Sequence, residues 1–253
     1  MSGKRATCLS LLLVLLSATL GPARATEATV LDKSDGLSIK QFSEAGGEQD
    51  ILVSGLGIKI HSQRKGLVGI IKPPFQEAIM FNEHTKLIYS CPVATFKSPL
   101  AQSMAYFNAV TFVEIKLGLV GPIMHKGLTA GLYTFTPDFD ALQRKKFKEH
   151  DLAVSGPQSV QCIETTKFRV HPQAIDFLDR FYGLPHTAGL PLDFKYVNFR
   201  KTAHHYMYTT QVKAATYRPG DYDVPKGLSR ATDFTQLIRD DSSDSGIELL
   251  IGK

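Results

Sequence analysis

The sequence predicts an α+β protein dominated by a strongly curved antiparallel sheet, with a few helices covering its open side. Three observations predict it. Short apolar runs of strand period recur along the chain, broken by Gly, Pro and Asn/Asp clusters. The last third carries two longer alternating runs joined by a turn near Lys201-Thr202. Helical spacing surfaces in only three places, over 100–109, 136–150 and 172–182.

In chain order, Leu37 to Phe42 is a short alternating run, and Ala45-Gly46-Gly47-Glu48 signals a turn. Ile51 to His61 resumes as strand, with Ile58 and Ile60 alternating with Lys59 and His61, and Gly55 and Gly57 suggest a bulge or bend within it. Val68 to Ile71 ends at Pro73-Pro74, and Glu77–Phe81 and Leu87–Ser90 flank a hairpin loop, Asn82 to Lys86. A helix is expected over Leu100–Ala109 and a strand over Val110–Leu117, where β-branched and aromatic residues gather. Gly131 to Phe135 reads as strand, and Thr136-Pro137-Asp138 opens a helix to about His150. Gln161 to Val170 reads as strand. Pro172 to Tyr182 reads as a helix with Ala174, Ile175, Leu178 and Phe181 on one face and Gly183 as its stop. Leu192, Phe194 and Tyr196 alternate with Asp193 and Lys195, and Tyr206, Tyr208, Thr210, Val212 and Ala214 repeat the pattern. These two runs predict a long antiparallel pair with one apolar and one wetter face.

Both ends are set apart. Lys4 and Arg5, the apolar run Cys8 to Leu20, Gly21-Pro22 and Ala23-Arg24-Ala25 follow the order of a secretory signal peptide over 1–25. The apolar run is too short to span a bilayer, so the mature chain is expected to begin near Thr26 without a transmembrane segment. One domain is expected over 26–238. Arg239 to Gly246 opens a polar, Ser/Asp-rich tail over 239–253.

The chain carries 29 basic and 24 acidic residues; Lys4, Arg5 and Arg24 leave with the leader and no acid does, so 26 bases face 24 acids. That near-balance, with no Lys/Arg block interleaved with aromatics, argues against nucleic acid as a partner. The short basic run Gln143 to Lys148 reads as a solvated helix face. Cleavage leaves two cysteines, Cys91 and Cys162, which in an oxidising compartment are candidates for a disulfide or for two buried thiols.

Signals for catalysis are thin. His204-His205 would lie on opposite faces of a strand and could not easily grip one ion. Ser62-Gln63-Arg64-Lys65 matches Ser-x-x-Lys without the motifs that accompany it in acyl-transferases, and Gly55-Leu56-Gly57 lacks the rest of a dinucleotide loop. Asp138 and Asp140 read as first-turn acids. The sequence therefore implies no cofactor, no metal and no enzymatic activity. The positive signal is the set of large apolar and aromatic residues carried on Gly- and Pro-broken strands. Among them Met80, Ile88, Phe112, Phe194, Tyr206 and Met207 are the candidate lining of an apolar ligand cavity, with a closed core as the alternative.

The stretch Gln76 to Asn82 with Lys86-Leu87-Ile88-Tyr89, the run Leu190-Pro191-Leu192-Asp193-Phe194, and the exit Val212 to Thr216 followed by Tyr222 to Leu228 resemble the LolA/LolB-like exported proteins, bacterial carriers and receptors of lipids or lipoprotein acyl chains. The resemblance implies an incomplete β-barrel lined by apolar side chains, a role in sorting outer-membrane lipoproteins, and a periplasmic location if the source is Gram-negative. On this reading the protein is a monomeric carrier whose partner is a lipid, an acyl chain or an envelope lipoprotein. An exported interaction protein with a closed core, and an exported hydrolase or metalloenzyme, are the competing expectations.

Overall fold

The computed structural model describes residues 34–101, 112, 115–135, 157–168, 170–198 and 201–238, which belong to one compact unit. The expected leader over 1–25, the helix over 136–150 and the tail over 239–253 lie outside the described residues. Of the helix expected over 100–109 only residues 100 and 101 are described, and they are helical, as is Pro99 before them.

Twelve strands form one sheet: β1 (Ser34–Ser43), β2 (Gly47–Ser54), β3 (Gly57–Ser62), β4 (Leu67–Ile71), β5 (Glu77–Asn82), β6 (Leu87–Pro92), β7 (Gly118–His125), β8 (Leu128–Phe135), β9 (Ser159–Thr165), β10 (Leu190–Val197), β11 (Ala203–Tyr217) and β12 (Ser229–Arg230). Their order is β12-β6-β5-β4-β3-β2-β1-β11-β10-β9-β8-β7. Every neighbouring pair is antiparallel except β12 with β6, and the two edges are not paired with each other. The fold class is thus α+β with an open, mainly antiparallel sheet. The helices described over their whole length are α1 (Pro172–Tyr182) and the short α2 (Thr235–Ile238). No helix among the described residues is long and apolar enough to cross a membrane.

The sheet must curl around α1. Phe177 of that helix reaches Gly69 on β4, Tyr182 donates to Gln49 Oε1 on β2 at 2.7 Å, and its carbonyl accepts from Tyr206 on β11. Asp179 accepts the Thr187 N–H, and the adjoining Ala188 N–H donates to Glu164 Oε2 on β9, so the helix is tied to that strand as well. Six strand spacings separate β4 from β9, about 29 Å on a flat sheet, whereas an 11-residue helix rises only about 16 Å. Contacts with both therefore require curvature. The main core lies on this inner face and includes Leu37, Ile51, Ile60, Met80, Phe177, Phe194 and Met207. A second cluster, with Val68, Ile70, Phe81, Tyr217 and Tyr222, sits on the other face of β4–β6. There the 3-10 turn Pro219–Tyr222 covers it, and Tyr222 Oη lies 2.9 Å from Ser54 Oγ.

Several elements depart from the sequence reading. The run Ile51–His61 is a hairpin, not one bulged strand: Ser54 pairs with Gly57 across a Gly55-Leu56 turn, whose Leu56 N–H donates to Ser54 Oγ at 3.0 Å. The strand expected over 110–117 is absent at its described positions, Phe112 and 115–117. The strand expected to reach Val170 ends at Thr165. β7 was not expected at all. On β11 a bulge places Met207 opposite Phe194 and His205 opposite Lys195, so Tyr206 and Met207 are both buried. Tyr208 turns to the other face and stacks on Phe42 at 5.2 Å.

Gly57 is required by its turn. Its φ is +146°, and a Cβ there would lie 2.3 Å from the Ile71 carbonyl oxygen on the next strand. Gly57→Ala is expected to cost about 2–4 kcal/mol through backbone strain and forced separation of β3 from β4. Gly127→Ala, at φ +77° with nothing within 4 Å of the built Cβ, is expected to cost only about 1 kcal/mol. Urea melts of both variants check the contrast.

Candidate binding site

Register defines the inner face residue by residue, because directly opposed residues share a side of the sheet. One row runs Leu119, Tyr133, Cys162, Phe194, Met207, Ser43 across β7, β8, β9, β10, β11 and β1. It is fully buried from Cys162 to Ser43 and open to solvent at Leu119. The next row, Phe135, Val160, Tyr196, His204, lies on the same side. Between them, on the opposite side, run Thr134, Gln161, Lys195 and His205, all polar. The expected apolar and wet faces are therefore present at Phe194, Lys195 and Tyr196. Asp193 is the exception. It is buried, its Oδ1 accepting the Thr209 N–H at 2.8 Å and its Oδ2 lying 3.3 Å from His125 Nε2.

Phe112 closes the inner face. It is buried and meets Phe194, Tyr196 and Tyr206 edge-on, with ring centroids at 4.9, 5.0 and 5.3 Å. Such pairs add about 0.5–1.5 kcal/mol each beyond burial. Tyr206 Oη donates to the Tyr182 carbonyl at 2.6 Å, tying the cluster to the C-terminal end of α1. A groove of about 700 Å3 adjoins the cluster, lined by Val160, Tyr196 and His204 from the inner side and by Thr134, Gln161 and Lys195 from the polar row. His204 stacks flat on Tyr196 at 4.7 Å and its Nδ1 lies 3.9 Å from Glu44 Oε1. Burial pushes the Glu44 carboxyl up, with the nearby His204 opposing the shift. Burial, then the Glu44 charge, pushes the Tyr196 phenol up to about 12. Such phenols stay protonated at neutral pH and can donate hydrogen bonds but not act as bases.

Five of the six candidate lining residues come together. Met80, Phe112, Phe194, Tyr206 and Met207 all belong to the main core. Ile88 does not, and is corrected here: it pairs with Phe81 and packs with the second cluster on the opposite face. The period of two explains the miss, since Met80 pairs with Tyr89, and it is Tyr89 that packs against the main core. Tyr196, Val160 and Tyr133 were missed, though the alternation around Phe194 already carried Tyr196.

Cys91 and Cys162 are both free thiols, the first half-buried and the second buried, so of the two expectations the disulfide is the one corrected. Cys91 lies on β6 and Cys162 on β9, eight strands apart in the sheet order. Burial, with the charges of Glu164, Asp179 and Asp193, holds the Cys162 thiol well above its usual range, so it is inert as a nucleophile. The Ser-x-x-Lys pair is occupied with loop backbone: Ser62 Oγ donates to the Gly46 carbonyl and Lys65 Nζ to the Ala45 carbonyl, each at 2.7 Å. His204 and His205 do face opposite ways, His205 lying beside Tyr208 at 5.6 Å. Among the described residues no three His, Cys, Asp or Glu side chains are grouped to hold a metal ion.

These features define the chain as an α+β protein with an open twelve-stranded sheet whose inner face is apolar and closed by one helix and an aromatic plug. No family model matches the chain, and no curated protein matches it. Solved structures do match. One is an uncharacterized conserved protein from Thermus thermophilus, with a TM-score of 0.42 and 9% identity over 78% of this chain and 89% of that one.

Proposed function

We propose that this protein is an exported, non-enzymatic carrier of an apolar ligand, a lipid or an acyl chain, held against the inner face of the sheet. The observation that carries the reading is the row from solvent-exposed Leu119 to fully buried Phe194 and Met207, stopped by the single ring of Phe112 beside a groove of about 700 Å3. Grooves of this size hold small molecules, and Val160, Tyr196 and Val197 give this one an apolar wall beside its polar residues. Phe112 fills the aromatic cluster and is the ring that an entering acyl chain would displace. The leader-like Met1–Ala25 segment and the resemblance to LolA/LolB-like carriers support the same reading.

The complete burial of Met80, Phe194, Tyr206 and Met207 favours a second reading, an interaction protein with a permanently closed core. One variant separates the two. The chain contains no Trp, so Phe112→Trp is a single fluorescent reporter at the plug. On the carrier reading its emission shifts saturably to the red as fatty acid is added. The dissociation constant falls about fourfold for each added methylene until the site is full. Unchanged emission with no dependence on chain length leaves the closed-core protein.

A further inference from the structure

The β7–β8 hairpin is built unlike the rest of the surface. Leu119 and Val120 are 63% exposed and Met124 is 70% exposed, the large exposed hydrophobic residues of the described chain, and all three lie on the edge strand β7. Water-facing edges ordinarily carry charge instead. Leu119 and Met124 project on the same side of the hairpin: they pair with Tyr133 and Thr129, two positions of one parity on β8. Pro122 lies in the middle of β7, next to a register shift between Leu119 and Gly121. An edge with a missing N–H and a bulge is poorly made for adding another strand, which argues against pairing with a second copy.

Charge indicates what covers it instead. Across the hairpin, Gly118 to Phe135, the sequence holds no Asp or Glu and carries His125 and Lys126; Lys116 stands just before it, two residues after Glu114. Lys116 precedes β7 and Lys126 forms its turn with Gly127, and both are exposed. An apolar strip flanked by cations, with a Tyr on the same side, matches an anionic lipid surface. The apolar side chains and Tyr enter the interfacial layer while the ammonium groups meet phosphates. We propose that the β7–β8 hairpin docks this protein on an anionic membrane surface. The docking does not depend on the carrier reading, but it would give that reading a route: Leu119 and Tyr133, the two residues at the open end of the buried row, would then sit at the lipid.

The test uses the full chain with vesicles of phosphatidylcholine, alone or mixed with phosphatidylglycerol. Met124→Trp places the chain's one indole on the strip. Its emission should shift to the blue with the anionic vesicles, be quenched by lipids brominated in their acyl chains, and lose the shift as salt is raised. In sedimentation, Leu119→Asp with Val120→Asp should weaken binding to anionic vesicles at least tenfold. Lys116→Glu with Lys126→Glu should remove the preference for anionic lipid, since basic residues near such a surface supply that preference. These positions are exposed, so thermal melts should match the parent chain; if a charged pair does not fold, the Met124→Trp spectra alone decide. Emission blind to anionic vesicles overturns the proposal, even if the chain sediments through its apolar leader-like segment. So does sedimentation unaffected by the Asp pair, and so does a blue shift seen only with a protein partner. Fatty-acid binding reported by Phe112→Trp is unaffected by these outcomes, so the two readings fail separately.

Discussion

Phe194→Asp unfolds the protein, whereas Lys195→Ser leaves its stability within about half a kcal/mol. The two residues are neighbours on β10 and point to opposite faces. Phe194 is fully buried between Phe112 and Tyr206, with centroids at 4.9 and 5.9 Å, and is paired across the sheet with Cys162 and Met207. Removing a buried Phe ring alone costs about 3–5 kcal/mol, and an unpaired carboxylate in its place adds several more. That total rivals the whole stability of an ordinary domain, about 5–15 kcal/mol. Lys195 lies in the polar row between Gln161 and His205 and loses only a solvated chain. Urea unfolding followed by circular dichroism checks both. Equal sensitivity would place the inner face on the wrong side of β10.

Asp179→Asn abolishes a loss of stability that the parent chain suffers as pH rises from about 4 to about 7. Asp179 is buried on α1, and burial raises its carboxyl to about 7, with Glu164 and Asp176 adding to the rise and hydrogen bonds from Thr187 opposing it. Geometry favours the protonated form independently. The Thr187 hydroxyl lies 2.8 Å from Asp179 Oδ1 and 2.9 Å from the Gly189 carbonyl, and it has one proton for two acceptors. A protonated Asp179 donates to Thr187 Oγ1, which then donates to Gly189, while Oδ2 still accepts the Thr187 N–H at 2.9 Å. Other groups facing this site are Glu164 and Cys162 on β9 and His186, whose exposed ring approaches Asp179 Oδ2 at 3.6 Å. The sign follows from linkage. A carboxyl whose folded pKa is raised supports the fold while protonated and withdraws that support as it ionises, here on the order of 4 kcal/mol between its unfolded and folded pKa values. Asn at this position makes the same two hydrogen bonds without titrating. Urea midpoints between pH 4.5 and 7.5 should therefore fall less for the variant than for the parent; parallel curves would show that Asp179 is ionised throughout.

Elements closed by local chemistry were legible in the sequence. α1 begins at Pro172 behind a His171 cap and ends at Gly183, whose φ of +69° is the left-handed stop that Gly supplies. The loop from Asn82 to Lys86 is a hairpin turn because Asn82 Oδ1 accepts the N–H groups of His84 and Thr85. β7 was illegible because an exposed edge has no buried face to impose alternation, so its apolar residues carry no period. The 110–117 segment misled because β-branched and aromatic residues favour strands only where a strand is offered a neighbour; Phe112 instead packs its ring sideways into the aromatic cluster. The candidate site was half legible. Period-two alternation put Phe194 inward, but the bulge that buries Tyr206 and Met207 together is a mismatch between two strands, and Ile88 was assigned to the inner face although its pairing with Phe81 turns it away.

The sequence by itself determined the class, a strand-rich α+β chain with an apolar and a polar face on its late strands, because side-chain period and turn residues are local properties of the chain. Only the tertiary structure decided which strands neighbour one another, that the sheet curls about α1, that Phe112 closes the inner face, and that two cysteines stand apart as free thiols. Those outcomes depend on register and curvature between segments as distant as β4 and β9, and no residue carries them alone.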